Sequence, residues 1–265
     1  MIDGISPPLS LALAGITARA GVRAQIEWAA SLHFRGVQLN AAAPDARPRD
    51  LGRSARRDLA SILRRNELRC SGVDLWLPPE HLLDPAHSDR ALGAIVDAIG
   101  FAGELAELTD GQAVLSLVLP SPGSPGVDAV LNAVREACTE RGVRVADHRW
   151  PQWLSTDKAE LRLFDAEGMP IGVGLDPAAI FIAEGPIGDP SVAAARLGHR
   201  VAAARLSDCN LVGRCAVGAP GGRLDRLAYG VSLITAGYRG HLVVDLRGVP
   251  DQDAAARAAL RGNGT

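Results

Sequence analysis

The chain has 265 residues, 47% hydrophobic, 22% charged and 4% aromatic, which suits one sizeable domain around an aliphatic core and excludes disorder, collagen and a small disulfide scaffold. With 28 basic against 30 acidic residues the net charge is −2, so no excess positive charge exists to neutralise a nucleic-acid backbone or anionic lipid. Neither nucleic acid nor membrane is expected as a partner. Lysine occurs once, at Lys158, and the arginine bias reads as composition.

Cys70, Cys138, Cys209 and Cys215 lack the CxxC spacing of zinc or redox motifs and are expected to be buried or incidental thiols. The opening apolar run is interrupted by Pro7 and Pro8 and has no basic leader. A cytoplasmic protein is the expectation.

Short aliphatic runs alternate with segments of helical spacing along the whole chain. Strands are predicted at Leu9 to Ala14, Gly36 to Leu39, Cys70 to Leu77, Ala113 to Leu119, Val143 to Ala146, Ile171 to Leu175, Val201 to Leu206 and Leu242 to Leu246. They are apolar on successive residues, as strands covered on both faces should be. Helices are predicted at Arg23 to Leu32, Arg53 to Arg65, Ser88 to Leu108, Val127 to Arg141, Asp157 to Asp165, Ser191 to Leu197, Leu224 to Ala236 and Asp251 to Arg261. Gly142 and Gly237 stand where C-caps are needed. Eight strand-then-helix units in 265 residues are the arithmetic of an α/β (β/α)8 TIM barrel, expected here as a single domain over 1–265. An open doubly wound sheet binding a dinucleotide would show a Gly-rich first turn, and no GxGxxG or GxxxxGK[ST] occurs.

In such a barrel the reactive groups lie at the C-terminal ends of the strands. There the fifth run meets Asp147 and His148, the sixth meets Asp176, the seventh meets Arg205-Leu206-Ser207-Asp208 and the eighth meets Asp245. A single Asp at such a place is often a helix N-cap or a turn residue, Asp176 before Pro177 above all. Four in register imply a converging negative rim that needs a cation or hydrogen-bond donors at its centre.

The sequence Gly222-Arg223-Leu224-Asp225, followed by Ala236-Gly237-Tyr238-Arg239-Gly240-His241-Leu242-Val243-Val244-Asp245, resembles the closing motif of the xylose isomerase-like barrels. That family includes sugar-phosphate isomerases and epimerases and the abasic-site endonucleases. Gly36-Val37-Gln38-Leu39, Leu175-Asp176-Pro177 and Arg205-Leu206-Ser207-Asp208 resemble its second-, sixth- and seventh-strand motifs. The resemblance spans most of the chain. It implies a sugar isomerase or epimerase with a divalent metal held by Glu, Asp, His and Glu from the fifth to eighth strands. Those positions become Asp147, Asp176, Arg205 and Asp245, with Gln38 in place of the second-strand Glu and Ala179 in place of a further His.

Arg205 is the decisive departure, because a guanidinium has no lone pair for a metal and does not deprotonate in a protein. Arg205 is expected to lie among Asp147, Asp176 and Asp245 and take over the electrostatic task of the metal. No metal is then expected. The alternative is Mg or Mn held off-centre by Asp147, Asp176 and Asp245, with His148 or Asp208 in support. The catalytic candidates are therefore Asp147, Asp176, Arg205 and Asp245, and the substrate-binding candidates are His148, Trp76, Trp150 and Asp208. The expected ligand is a small sugar or polyol.

Two functions follow. One is a divergent sugar or sugar-phosphate isomerase or epimerase with a carboxylate base and Arg205 stabilising enediolate charge. The other is a non-catalytic barrel that binds a small molecule or protein at its rim. The endonuclease branch implies a histidine-rich trinuclear cluster and is set aside on Arg205, Ala179 and the net charge. Gly218, Gly221 and Gly222 either offer backbone N–H groups to a phosphate or form a plain turn, the usual role of a Gly-rich loop.

Overall fold

Eight parallel strands close on themselves. They are β1 (Leu9–Ala12), β2 (Gly36–Asn40), β3 (Arg69–Asp74), β4 (Val114–Leu117), β5 (Arg144–Asp147), β6 (Ile171–Leu175), β7 (Val201–Leu206) and, after a short hairpin of β8 (Asp208–Cys209) and β9 (Arg214–Cys215), β10 (Leu242–Val244). Hydrogen bonding runs β1-β10-β7-β6-β5-β4-β3-β2 and back to β1, a closed barrel. The computed structural model describes residues 7–121, 123–149, 170–185 and 188–261. The predicted helix at Asp157 to Asp165, and Trp150, lie outside them.

The described helices are α1 (Val22–Ser31), α2 (Arg53–Arg65), α3 (Ser88–Thr109), α4 (Val127–Arg141), α5 (Pro177–Glu184), α6 (Pro190–Leu197), α7 (Arg226–Thr235) and α8 (Gln252–Arg261). Their starts are set by side-chain caps where one is available. Asp176, Asp189 and Asp225 accept hydrogen bonds from the N–H groups of Ala179, Ser191 and Ala228 at the starts of α5, α6 and α7. Gly142 ends α4 in the left-handed conformation, φ 61°. None of the described helices is long and apolar enough to cross a membrane.

Side chains alternate across each strand, so every strand contributes one set to the barrel interior and one to the layer under the helices. The outer set is aliphatic: Leu11, Val37, Leu39, Val73, Leu115 and Val145 are fully buried beneath helices that contribute Ile95, Phe101 and Leu105. Each such side chain stabilises the fold by about 1.5–3 kcal/mol. The inner set is unusual, because barrel interiors are commonly filled with bulky branched residues. Here it is small or polar: Ser10 pairs beside Gly36, Gln38 beside Gly72, Ser116 beside Ala146, and Ala146 beside Gly172.

These small residues leave the volume that larger groups from neighbouring strands occupy. A Cβ on Gly174 would overlap the His148 ring, and one on Gly36 would stand 3.1 Å from His241 Cε1 and 2.8 Å from the Arg69 carbonyl oxygen. At Gly72, φ is +129° and a Cβ would meet the Val114 carbonyl oxygen at 2.8 Å, two independent reasons for glycine. Gly72→Ala is therefore expected to cost about 2 kcal/mol or more. Urea unfolding checks this, and a loss below about 0.5 kcal/mol would contradict it.

Among the described residues, the predicted strands and helices fall within a few residues of the observed ones, and the structure adds two elements. Helix α5 over Pro177–Glu184 and the β8–β9 hairpin carry no clear sequence period.

Candidate functional site

The strand ends at the C-terminal mouth of the barrel surround a cavity of about 710 Å³. Its floor is a network of charges. Arg205, 5% exposed on β7, reaches three carboxylates: Asp74 Oδ1 at 3.0 Å, Asp176 Oδ2 at 3.4 Å and Asp245 Oδ2 at 3.5 Å. Arg247 contacts Asp245 at 2.6 Å and Asp74 at 3.3 Å. Arg214, delivered by the β8–β9 hairpin, pairs closely with Asp176 and stands 3.8 Å from Asp245. Three guanidiniums and three carboxylates form one closed, formally neutral set.

Asp176 answers both readings of its position. Its Oδ1 accepts the Ala179 N–H at 3.3 Å and the Ser207 hydroxyl at 2.6 Å, as an N-cap should. Its Oδ2 accepts from Arg205 and Arg214. Burial alone would push the Asp176 carboxyl up, but Arg214 and Arg205 outweigh it and hold the group well below the usual carboxylate range. The same contest, settled by Arg205 and Arg247, holds Asp245 down.

Asp147 does not join this set. On β5 it pairs in register with Leu117 and Val173, both in the aliphatic outer layer, so its side chain is on the helix side of the sheet. There its Oδ1 accepts the N–H groups of Leu119 and Arg149, and its Oδ2 pairs with Arg149 at 2.7 Å. Burial lifts its carboxyl above the ordinary range despite Arg149. The expectation that Arg205 lies among Asp147, Asp176 and Asp245 is corrected accordingly: Asp74, at the end of β3, takes the third place. The negative rim is balanced by Arg214 and Arg247 together with Arg205.

The inward position on β5 belongs to the next residue, His148. It lies in the cavity wall with Nε2 3.2 Å from Ser116 Oγ, which in turn accepts from Gln38 Nε2 at 3.1 Å. Burial first, and then the charge of Arg205, push the His148 pKa well below its ordinary value, so the ring is neutral at pH 7. Trp76, 63% exposed, stands at the mouth, and Ala179 also lines the cavity.

Asp208 is not in the cavity. It is 1% exposed and its Oδ1 accepts the N–H groups of Cys209, Arg223 and Leu224 at 2.8–3.0 Å. The residues that follow the glycine-rich segment thus close on the chain's own carboxylate, and Gly222 donates its N–H to the Ala219 carbonyl at 2.8 Å, as in a plain turn. Of the groups missed in the sequence, Asp74 and Arg247 are within reach: each lies two residues from a residue singled out above, Trp76 or Asp245, at the end of a strand. Arg214 had no such signal.

The residues present do not fit the metal implied by the resemblance. All six oxygens of Asp74, Asp176 and Asp245 already accept hydrogen bonds from protein donors. A dication about 4 Å from a guanidinium would be repelled by roughly 8 kcal/mol at an effective dielectric of about 20. Among the described residues, no group of three or more His, Cys, Asp or Glu side chains has metal-holding geometry.

A second hollow, of about 640 Å³, lies outside the barrel between α2, α3 and α4. It is away from the strand ends, and its Arg56 pairs with Glu104 at 2.9 Å.

No protein-family model and no curated protein matches the chain. Solved structures do. A xylose isomerase-like TIM barrel protein from Mycobacterium smegmatis in complex with magnesium has a TM-score of 0.69 at 13% identity, covering 97% of this chain and 95% of that one. A 3-keto-D-glucoside 4-epimerase from E. coli has a TM-score of 0.67 at 12% identity, covering 97% and 98%. A xylose isomerase domain protein from Planctomyces limnophilus has a TM-score of 0.66 at 17% identity, covering 97% and 94%. The chain therefore has the xylose isomerase-like TIM-barrel fold.

Proposed function

We propose that this barrel binds a small polyhydroxylated molecule, of the sugar or polyol type, in the cavity at its strand ends and does so without a metal. The observation that carries this reading is the neutral Arg205, Arg214, Arg247 and Asp74, Asp176, Asp245 network, which fills the space where ligands to a metal would have to converge. The carboxylates support binding over turnover, since Asp176 and Asp245 are held in their ionised form by guanidiniums and make weak bases. Hydrogen-bonding groups on a rigid floor and apolar wall residues such as Ala14 and Val118 are the usual composition of a small-molecule site.

Isomerisation or epimerisation is the second reading, and one group favours it. His148 is neutral, in the cavity wall, and its Nδ1 has no hydrogen-bond partner among the described residues. In that reading His148 moves the proton, and Arg205, already fixed, stabilises enediolate charge.

Calorimetry with a panel of polyols and keto-sugars separates these readings. Binding is expected in chelator-treated protein, unchanged by added Mn, with no conversion of the sugars. Turnover that requires Mn would overturn the metal-free reading. Metal-free turnover that His148→Asn abolishes would establish the second reading in place of the first.

A further inference from the structure

We infer that the molecule bound in the cavity carries a single carboxylate beside its hydroxyl groups. This rests on the binding function proposed above and narrows it.

The charge network is neutral as a whole but layered. Arg149, Arg205, Arg214 and Arg247 all line the cavity, whereas Asp176 is the only carboxylate residue among the described residues that does. The side chains of Arg214 and Arg247 are 26% and 23% exposed, while those of Asp74 and Asp245 are 3% and 0%. Cations thus stand between the cavity and the acids that balance them. A ligand meets a positive face, with the compensating charge held deeper.

Arg214 has hydrogen-bonding capacity left over: its Nη2 pairs with Asp176, whereas its Nη1 has no hydrogen-bond partner among the described residues and stands 3.8 Å from Asp245 Oδ2. The side chain is 26% exposed at the cavity, and a small turn of the guanidinium would offer that donor to an anionic oxygen, the acceptor that rewards it most.

The number of charges is limited by the same network. Because the fixed groups already sum to zero, each added negative charge is opposed by the carboxylates behind the guanidiniums and by Asp176 on the same wall. A carboxylate adds one charge, and a phosphate monoester adds about 1.5 to 2 at pH 7. The monocarboxylate is the better match, with its hydroxyl groups facing Asn40 and Asp176 and its C–H faces against Trp76 and Ala42.

Calorimetry on the full chain with gluconate, sorbitol and sorbitol phosphate tests this directly. Gluconate is expected to bind roughly ten- to a hundredfold more tightly than sorbitol, and more tightly than sorbitol phosphate. Arg214→Gln is expected to remove about tenfold of the gluconate affinity and a smaller share of that for sorbitol, so that the preference for gluconate narrows. Sorbitol binding as tightly as gluconate would overturn the carboxylate while leaving the polyol site standing. Sorbitol phosphate binding the most tightly would overturn the single charge. Binding of none of the three, by protein that shows a cooperative thermal transition, would overturn the polyol site and this inference with it. The wild-type comparison decides even if the variant does not fold.

Discussion

Arg205→Met is expected to lower the unfolding free energy by about 3–5 kcal/mol. The guanidinium is 6% exposed in its side chain and lies against three carboxylates that are themselves almost fully buried. Removing it leaves Asp74, Asp176 and Asp245 with only Arg214 and Arg247, and so places one uncompensated negative charge in the barrel. The asymmetry of buried ion pairs matters here: replacing a whole network by apolar groups is often neutral, whereas truncating one partner is not. Methionine keeps much of the stem volume, so the loss reports charge more than packing. Urea unfolding of the two proteins gives the number, and a difference under about 1 kcal/mol would show that the three acids do not depend on Arg205.

The protein is also expected to lose stability between about pH 6.5 and pH 4, before carboxylate protonation begins in earnest. Burial first, and then the charge of Arg69, push the His241 pKa from 6.5 down to about 4. The unfolded chain therefore binds more protons than the folded one across that window, and stability falls as pH falls. The shift corresponds to about 3 kcal/mol for His241 alone, and His148, lowered by burial and Arg205, acts in the same direction. Asp176 and Asp245 have depressed pKa values, so their stabilisation is present above pH 3.8 and is lost only further into acid. Asp147 has the opposite sign: its raised pKa makes its contribution largest below pH 3.8 and weaker as pH rises, offsetting part of the trend. Urea midpoints measured from about pH 7 to about pH 4 should fall steadily, and His241→Gln should flatten the slope. A wild-type profile that is level over this range would contradict the assignment.

The barrel was legible because its signals are redundant. Strands such as Ile171–Leu175 and Val201–Leu206 and helices such as Arg53–Arg65 and Val127–Arg141 were located to the residue, since buried parallel strands are apolar throughout and their crossover helices are amphipathic. The mouth was less legible for a geometric reason. An error of one residue at a strand end hardly affects the fold, yet it exchanges the two faces of the sheet. Reading β5 as ending before Asp147 put that residue on the rim, whereas the alternation set by Ala146 puts His148 there and turns Asp147 toward the helices. At β3 the apolar run extends to Leu77 and obscures Asp74 as the last strand residue. Arg214 was out of reach, because it arrives on a hairpin whose place over the mouth is fixed by tertiary contacts and not by any period in the chain.

That hairpin gives the molecule a counter-ion on a tether. The barrel strands and their immediate ends bring three acids and two arginines to one place, and the third arginine comes from an excursion whose outermost residues, Leu211 and Val212, are fully in solvent. Any sub-state in which the excursion swings away leaves a unit negative charge at the mouth. Seating of the excursion and ion balance of the interior are consequently the same event.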